Sequence, residues 1–278
     1  PEADVYWVAF IRPDFLNYLL AGGVLALVLI PILQEAEARG GEAERWATFW
    51  RIGAPVSALT LIATVMLWIF TPQVTPQLSP GFTPEQLVLL NPLTRIILPA
   101  QLFHVCGGLI SSTLQARDKH LAPALAPLVY TGSIILGGVL LGPSIGAEGF
   151  AWGVLVGSAL GPFACPLIAA RGCGMKITPR WELRHPELKR YLWRALPVML
   201  GFSVVALDEM VVKRMATALE SGVVSQLHYA RTLMRVPMGV FGLALGMAAF
   251  PTLSRLVARG QERDAFALLK RALESLLI

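Results

Sequence analysis

Seven connections along this chain alternate strictly between carrying lysine or arginine and carrying neither. The 35–45 connection has Arg39 and Arg45, and the 71–90 connection has none. The 116–120 turn has Arg117 and Lys119, and 142–148 has none. The 171–194 connection has Arg171, Lys176, Arg180, Arg184, Lys189, Arg190 and Arg194, 220–224 has none, and 255–263 has Arg255, Arg259 and Arg263. Apolar runs separate these connections at 14–34, 46–70, 91–115, 121–141, 149–170, 195–219 and 226–254, and another begins at 265–278. A helix rises about 1.5 Å per residue, so roughly 20 residues cross the hydrocarbon core of a bilayer. The alternation therefore predicts a serial membrane bundle, with the cation-bearing connections on the cytoplasmic side.

The expected fold is an all-α polytopic membrane protein, a helical bundle with seven complete transmembrane helices and the start of an eighth. Residues 1–194 hold the first five, and 195–278 hold the rest. Composition agrees, because only 15% of the 278 residues are charged, against about 25% in soluble domains. The formal net charge of +5 then reports topology rather than affinity for nucleic acid. Residues 1–13 read as an aromatic lead-in ending at Pro13, with Arg12 and Asp14 at the membrane interface. Trp50 and Trp68, near the ends of the second segment, read as interfacial anchors. The chain opens at Pro1 without methionine and stops inside an apolar run, as a piece of a longer protein would.

Enzyme chemistry finds no purchase here. The sequence has no phosphate-binding Gly-rich loop with Lys-Ser/Thr, no G-x-S-x-G and no H-E-x-x-H. Cys106, Cys165 and Cys173 lack metal-ligand spacing, and the four histidines are scattered. No catalytic residue, metal or cofactor is expected. Gly149, Gly153, Gly157 and Gly161 recur every four residues, a small-residue ridge for tight helix packing.

Charges inside the apolar runs are the functional candidates. Asp208 and Glu209 lie roughly 20 Å along the sixth segment at helical rise. A carboxylate at such depth costs a few kcal/mol, so it calls for a partner or a wet cavity. Glu209 and Lys213 are four apart in the favourable order, and so read as an internal ion pair. Asp208 has no such partner on its own helix and reads as a partner of another helix or a coupling carboxylate. In the seventh segment His228, Arg231 and Arg235 share one helix face ahead of Pro237 and the uncharged run Met238–Leu253. Arg231 and Arg235 fall near the outer interface, where snorkelling competes with a basic strip lining a cavity for an anionic group. Arg95, at the outer start of the third segment, is a further candidate.

These residues occur in an order that resembles the MurJ/MviN family of lipid II flippases, within the multidrug/oligosaccharidyl-lipid/polysaccharide exporter superfamily. The densest match is Val224-Ser225, Leu227-His228-Tyr229-Ala230, Leu233-Met234, Pro237, Gly239-Val240-Phe241-Gly242, Ala244-Leu245-Gly246 and Pro251-Thr252-Leu253-Ser254-Arg255. Val8-Ala9-Phe10 with Pro13, Ile30-Pro31-Ile32, Ser79-Pro80-Gly81-Phe82, Arg95, Leu114-Gln115-Ala116-Arg117 and Pro123-Ala124-Leu125-Ala126-Pro127 extend it along the chain.

The resemblance implies a two-lobe flippase of fourteen helices, of which this chain is the N-terminal lobe from the second helix onward. It implies a bacterial inner-membrane protein that moves an undecaprenyl-diphosphate-linked precursor outward by alternating access. The implied partners are lipid II, membrane lipids and a monovalent cation or the membrane potential. The implied cavity residues are Asp4, Asn17, Arg95, Arg231, Thr232 and Arg235. Asn17 and Thr232 stand where the family pattern has arginine, and Arg231 is displaced by one position, about 100° around a helix. Those departures leave three alternatives in view: a related polysaccharide-lipid flippase, a cation-coupled exporter or a transport-incompetent membrane scaffold.

Overall fold

The computed structural model describes residues 2–20 and 25–237, with isolated positions at 239, 261, 266, 267, 269 and 270. Most of the seventh segment beyond Pro237, and most of the eighth, lie outside the described residues. The contacts divide into two units, Pro1–Val224 and Ser225–Ile278.

Among the described residues all regular structure is helical. The first unit runs α1 Glu2–Ala9, α2 Ile11–Leu20, a π-helical turn Leu25–Leu29, α3 Ile30–Ile69, α4 Thr71–Leu78, α5 Pro84–Ile97 and α6 Ala100–Gln115. It continues through α7 Leu121–Ile145, α8 Ala147–Ser158, a second π-helical turn Ala159–Ala164, α9 Cys165–Gly172 and α10 Pro186–Thr217. The last helix, α11 Val223–Pro237, carries the chain into the second unit.

Among the described residues five helical stretches are long and apolar enough to cross a membrane: Leu27–Ile69, Pro84–Gln115, Leu121–Ile145, Ala147–Gly172 and Pro186–Thr217. The first accommodates two of the expected crossings. Its helix breaks at Gly40 and Gly41, and Gly41 takes φ +67°, a conformation glycine adopts without a Cβ clash. Leu29 and Leu33 before the break share one buried cluster with Phe49 and Val56 after it. On a straight helix Leu29 and Val56 would stand roughly 40 Å apart. The chain therefore turns back at the glycine pair.

Three boundaries differ from the sequence expectation. The lead-in is helical, because Val5, Val8 and Ala9 form one face that packs against Leu90, Leu93 and Ile97 of α5. Aromatic and acidic residues on its other faces hide that stripe from a hydropathy reading. The proline-rich 71–90 connection contains α4, which starts with a proline in its first turn, where the missing N–H costs nothing. It also contains the start of α5, closed by a capping box between Thr83 and Gln86. Finally, α10 begins at Pro186, ahead of its apolar part, with His185 accepting from the Glu187 N–H at the N-cap.

The glycine ridge meets α7 as its spacing predicts. A Cβ added to Gly149 would stand 2.7 Å from the Gly142 nitrogen, and one on Gly153 would stand 2.8 Å from Ile134 Cα. One on Gly157 would stand 2.8 Å from the Tyr130 carbonyl oxygen, and one on Gly161 would collide with the Ala126 carbonyl. Along the ridge the first step of four descends about two turns of α7 and the next two about one turn each. Where the ridge reaches Pro162 the helix adopts π geometry, and the Pro162 carbonyl abuts Gly107 of α6 so closely that no side chain fits there.

Candidate functional site

The alternation of cations along the chain becomes a separation in space. Arg117 lies 3.8 Å from Glu37 and 3.4 Å from Glu42, and its guanidinium donates to the Cys173 carbonyl. Arg190 reaches Glu35 at 2.5 Å, and Arg39 pairs with Glu187. Arg51 bridges Glu44 at 2.7 Å and Glu182 at 3.3 Å. The 35–45, 116–120 and 171–194 connections thus gather at one end of the unit. Arg45 is fully buried there, between Glu37 and Glu42, with its guanidinium 4.7 Å from the Trp46 ring centroid.

At the other end Asp4 is 2% exposed, and the Gly222 N–H donates to its Oδ2 at 2.5 Å. It lines a cavity of about 370 Å³ with Gly81, Thr83, Glu85, Thr217 and Glu220. A Cβ on Gly81 would collide with the Thr217 carbonyl, so the 71–90 connection is locked against the C-terminal end of α10 by backbone contact. The carboxylate lining makes this cavity electronegative, so it would repel a diphosphate. In this structure Asp4 fastens the turn that enters α11.

The remaining candidates scatter over several elements. Asn17 sits half-buried on α2. Arg95 on α5 lays its guanidinium 4.7 Å over the Trp68 ring, so the tryptophan read as an interfacial anchor doubles as a cation–π platform. Asp208 is exposed and Glu209 half-buried on α10. Lys213, expected to pair with Glu209, has its Nζ 3.6 Å from Asp14 Oδ2 of α2. Glu209 borders the same small void as Asp14 and Lys213. Interhelical packing of α2 on α10 brings the three together, which an i,i+4 reading of one helix does not anticipate. On α11, Arg231 is half-buried and Arg235 exposed, while the Thr232 hydroxyl donates to the His228 carbonyl at 2.9 Å.

One arginine escaped the sequence reading. Arg12, expected at the interface, is 7% exposed and donates through Nη2 to Thr75 Oγ1 at 2.5 Å. Thr75 also meets Asn91 Oδ1 at 2.7 Å, and Arg95 follows Asn91 by one turn. The available signal was Thr71 with Thr75 and Asn91 with Arg95, two polar i,i+4 pairs on short proline-bounded helices. A hydropathy window discounts such helices as loop.

Comparison with known proteins fits this arrangement. The chain is 27% identical over 286 residues to a probable lipid II flippase MurJ of Rhizobium tropici, covering 100% of this chain and 53% of that protein. It is 28% identical over 277 residues to the lipid II flippase MurJ of Burkholderia cenocepacia, covering 96% and 53%. The chain thus spans about half the length of these relatives. A solved lipid II flippase MurJ in an inward closed conformation superposes with a TM-score of 0.78 at 21% identity, over 99% of this chain and 56% of that one. An inward-facing multidrug resistance MATE family transporter of the MOP superfamily follows at 0.66 and 19%, over 99% and 64%. At those identities the two structures establish the fold, a multi-pass membrane bundle. The family model of the lipid II flippase MurJ matches residues 1–278, the whole of the sequence, and the chain belongs to that family.

Proposed function

We propose that this chain is the N-terminal lobe of a lipid II flippase in a bacterial inner membrane. It would help carry an undecaprenyl-diphosphate-linked precursor from the cytoplasmic to the outer leaflet by alternating access. The match of the family model to every residue carries the reading. The cation-rich end then faces the cytoplasm, and the end closed by Asp4 faces outward.

Arg231 and Arg235 on α11, with Arg95 on α5, are the groups suited to a diphosphate, because guanidinium donors retain charge and geometry in a low-dielectric cavity. Asn17 and Thr232 are further candidates by their places in the family pattern, whereas Asp4 serves to fasten the Gly222 turn. Asp14, Glu209 and Lys213, with Asp208 nearby in sequence, form the proposed coupling cluster between α2 and α10. A carboxylate pair sharing one ammonium can change partners as the helices shift, under a monovalent cation or the membrane potential.

The test is expression of the full-length protein in cells depleted of their own lipid II flippase. Growth and lipid II translocation should return, and Arg231→Ala with Arg235→Ala should lose both. A correctly inserted protein that restores neither removes this reading. Asn17 and Thr232, in place of arginines, favour a related polysaccharide-lipid flippase or cation-coupled exporter as the second reading. Under that reading Asn17→Arg with Thr232→Arg would gain lipid II translocation that the parent lacks.

A further inference from the structure

At the cation-rich end a groove of about 800 Å³ runs between the start of α7 and α9. Leu121, Leu125, Ile168 and Ala169 give it apolar walls, and Leu121 and Ile168 are 74% and 71% exposed. Its mouth carries Asp118, Lys119 and His120. There α6 ends in a turn in which the Lys119 N–H donates to the Leu114 carbonyl and the Asp118 N–H to that of Gln115. Asp118 takes φ +56° in this turn. Glycine commonly fills that position in such a C-cap, yet here it holds a fully exposed carboxylate.

The same mouth holds donors. His120 is the N-cap residue of α7 and gives its first turn no side-chain bond, so the N–H groups of Leu121 and Ala122 have no partner within the helix. Lys119 Nζ rests 3.1 Å from Cys173 Sγ, a weak acceptor that leaves the ammonium hydrogens available. His120 Nε2 stands 4.0 Å from Asp118 Oδ1. One carboxylate, one ammonium and a helix N-terminus therefore crown an apolar trough. Its volume lies in the ordinary range of small-ligand sites.

We propose that the α7–α9 groove binds a zwitterionic aminophospholipid of the adjacent leaflet. An acyl chain fills the trough, the phosphate meets Lys119 and the α7 N-terminus, and the primary ammonium meets Asp118. An anionic headgroup would leave Asp118 facing negative charge, and a choline headgroup has no N–H to give it. The site is independent of the lipid II reading.

Native mass spectrometry of the full-length protein in mild detergent tests this, with phosphatidylethanolamine, phosphatidylglycerol and phosphatidylcholine of identical chains. Phosphatidylethanolamine should be retained about tenfold more than either competitor, the discrimination that one charge-assisted hydrogen bond supplies. Asp118→Asn should bring it level with phosphatidylcholine. Asp118→Gly, which also relieves the left-handed backbone, should do the same on a sturdier turn. Leu125→Trp fills the trough from an exposed position and should lower retention of all three lipids. Equal retention of the three by the unchanged protein overturns the proposal. So does a preference for phosphatidylglycerol, or undiminished binding after Leu125→Trp.

Discussion

The two ends of the first unit are built by opposite means. The cation-rich end is tied by side-chain charge: Arg51, Arg117 and Arg190 engage carboxylates from other parts of the chain, and Arg45 engages Glu37 and Glu42 of its own connection. The cation-free end is tied by backbone, through Gly81 against Thr217 and the Gly222 N–H on Asp4. Topology favours the first arrangement, since Lys and Arg of the short connections concentrate on one side of a membrane bundle. The carboxylates of the 35–45 connection turn that requirement into cohesion. The connections of the second end carry no Lys or Arg and close by close approach, which needs glycine and a single buried carboxylate. Charge networks tolerate small shifts, whereas backbone contacts lock or release.

Substitutions at each end test this contrast. Arg45→Ala should have the largest effect, about 3 kcal/mol, because it empties a fully buried side-chain site against the Trp46 ring and removes the pairs to Glu37 and Glu42. Thermal melting in detergent would measure it. A loss under 1 kcal/mol would mean that the network is ornamental. Gly81→Ala at the opposite end should cost about 2 kcal/mol by forcing α10 away from the 71–90 connection. Hydrogen exchange should rise at residues 217–222, with no change at residues 35–45. Exchange rising at both ends would break the claim of separate closures.

Asp4→Asn should cost about 1 kcal/mol, since the amide oxygen can still accept from Gly222 without the charge. Asp4→Leu should cost more, and equal melting points for the two variants would argue against capping.

The smallest effect belongs to pH. The hydrogen bond from Arg190 holds the Glu35 carboxyl below the usual carboxylate range. Its stabilisation is present above the pKa of an unfolded glutamate and is lost as pH falls through the lower folded value. Melting should therefore not respond to Glu35 between pH 7 and 5. The difference between parent and Glu35→Gln should shrink only below about pH 4. A difference that already changes near pH 6 would overturn this assignment to Glu35.

Much of the bundle was legible because membrane insertion acts on sequence-local properties. Apolar length gave the crossings, Lys and Arg gave the sidedness, and the four-residue glycine spacing gave a tightly packed helix face, whose partner α7 only the structure named. The failures share a cause. The lead-in was missed because its apolar stripe, Val5 with Val8 and Ala9, is diluted by polar residues in any window average. The contact of Lys213 with Asp14 was missed because Asp14 lies almost two hundred residues earlier, while i,i+4 neighbours such as Glu209 are visible in sequence. Arg12 was placed at the interface because nothing in its neighbourhood announces Thr75.

The sequence alone determined that this chain is a membrane bundle, which connections share a side, and which family it resembles. Those follow from hydrophobic length, from charge and from ordered motifs, all of which act along the chain. Tertiary structure alone decided which partners the buried charges take, that Asp4 fastens the Gly222 turn, and that an apolar groove opens beneath Asp118 and Lys119. Those depend on packing between distant helices, where an ångström separates an ion pair from an isolated charge.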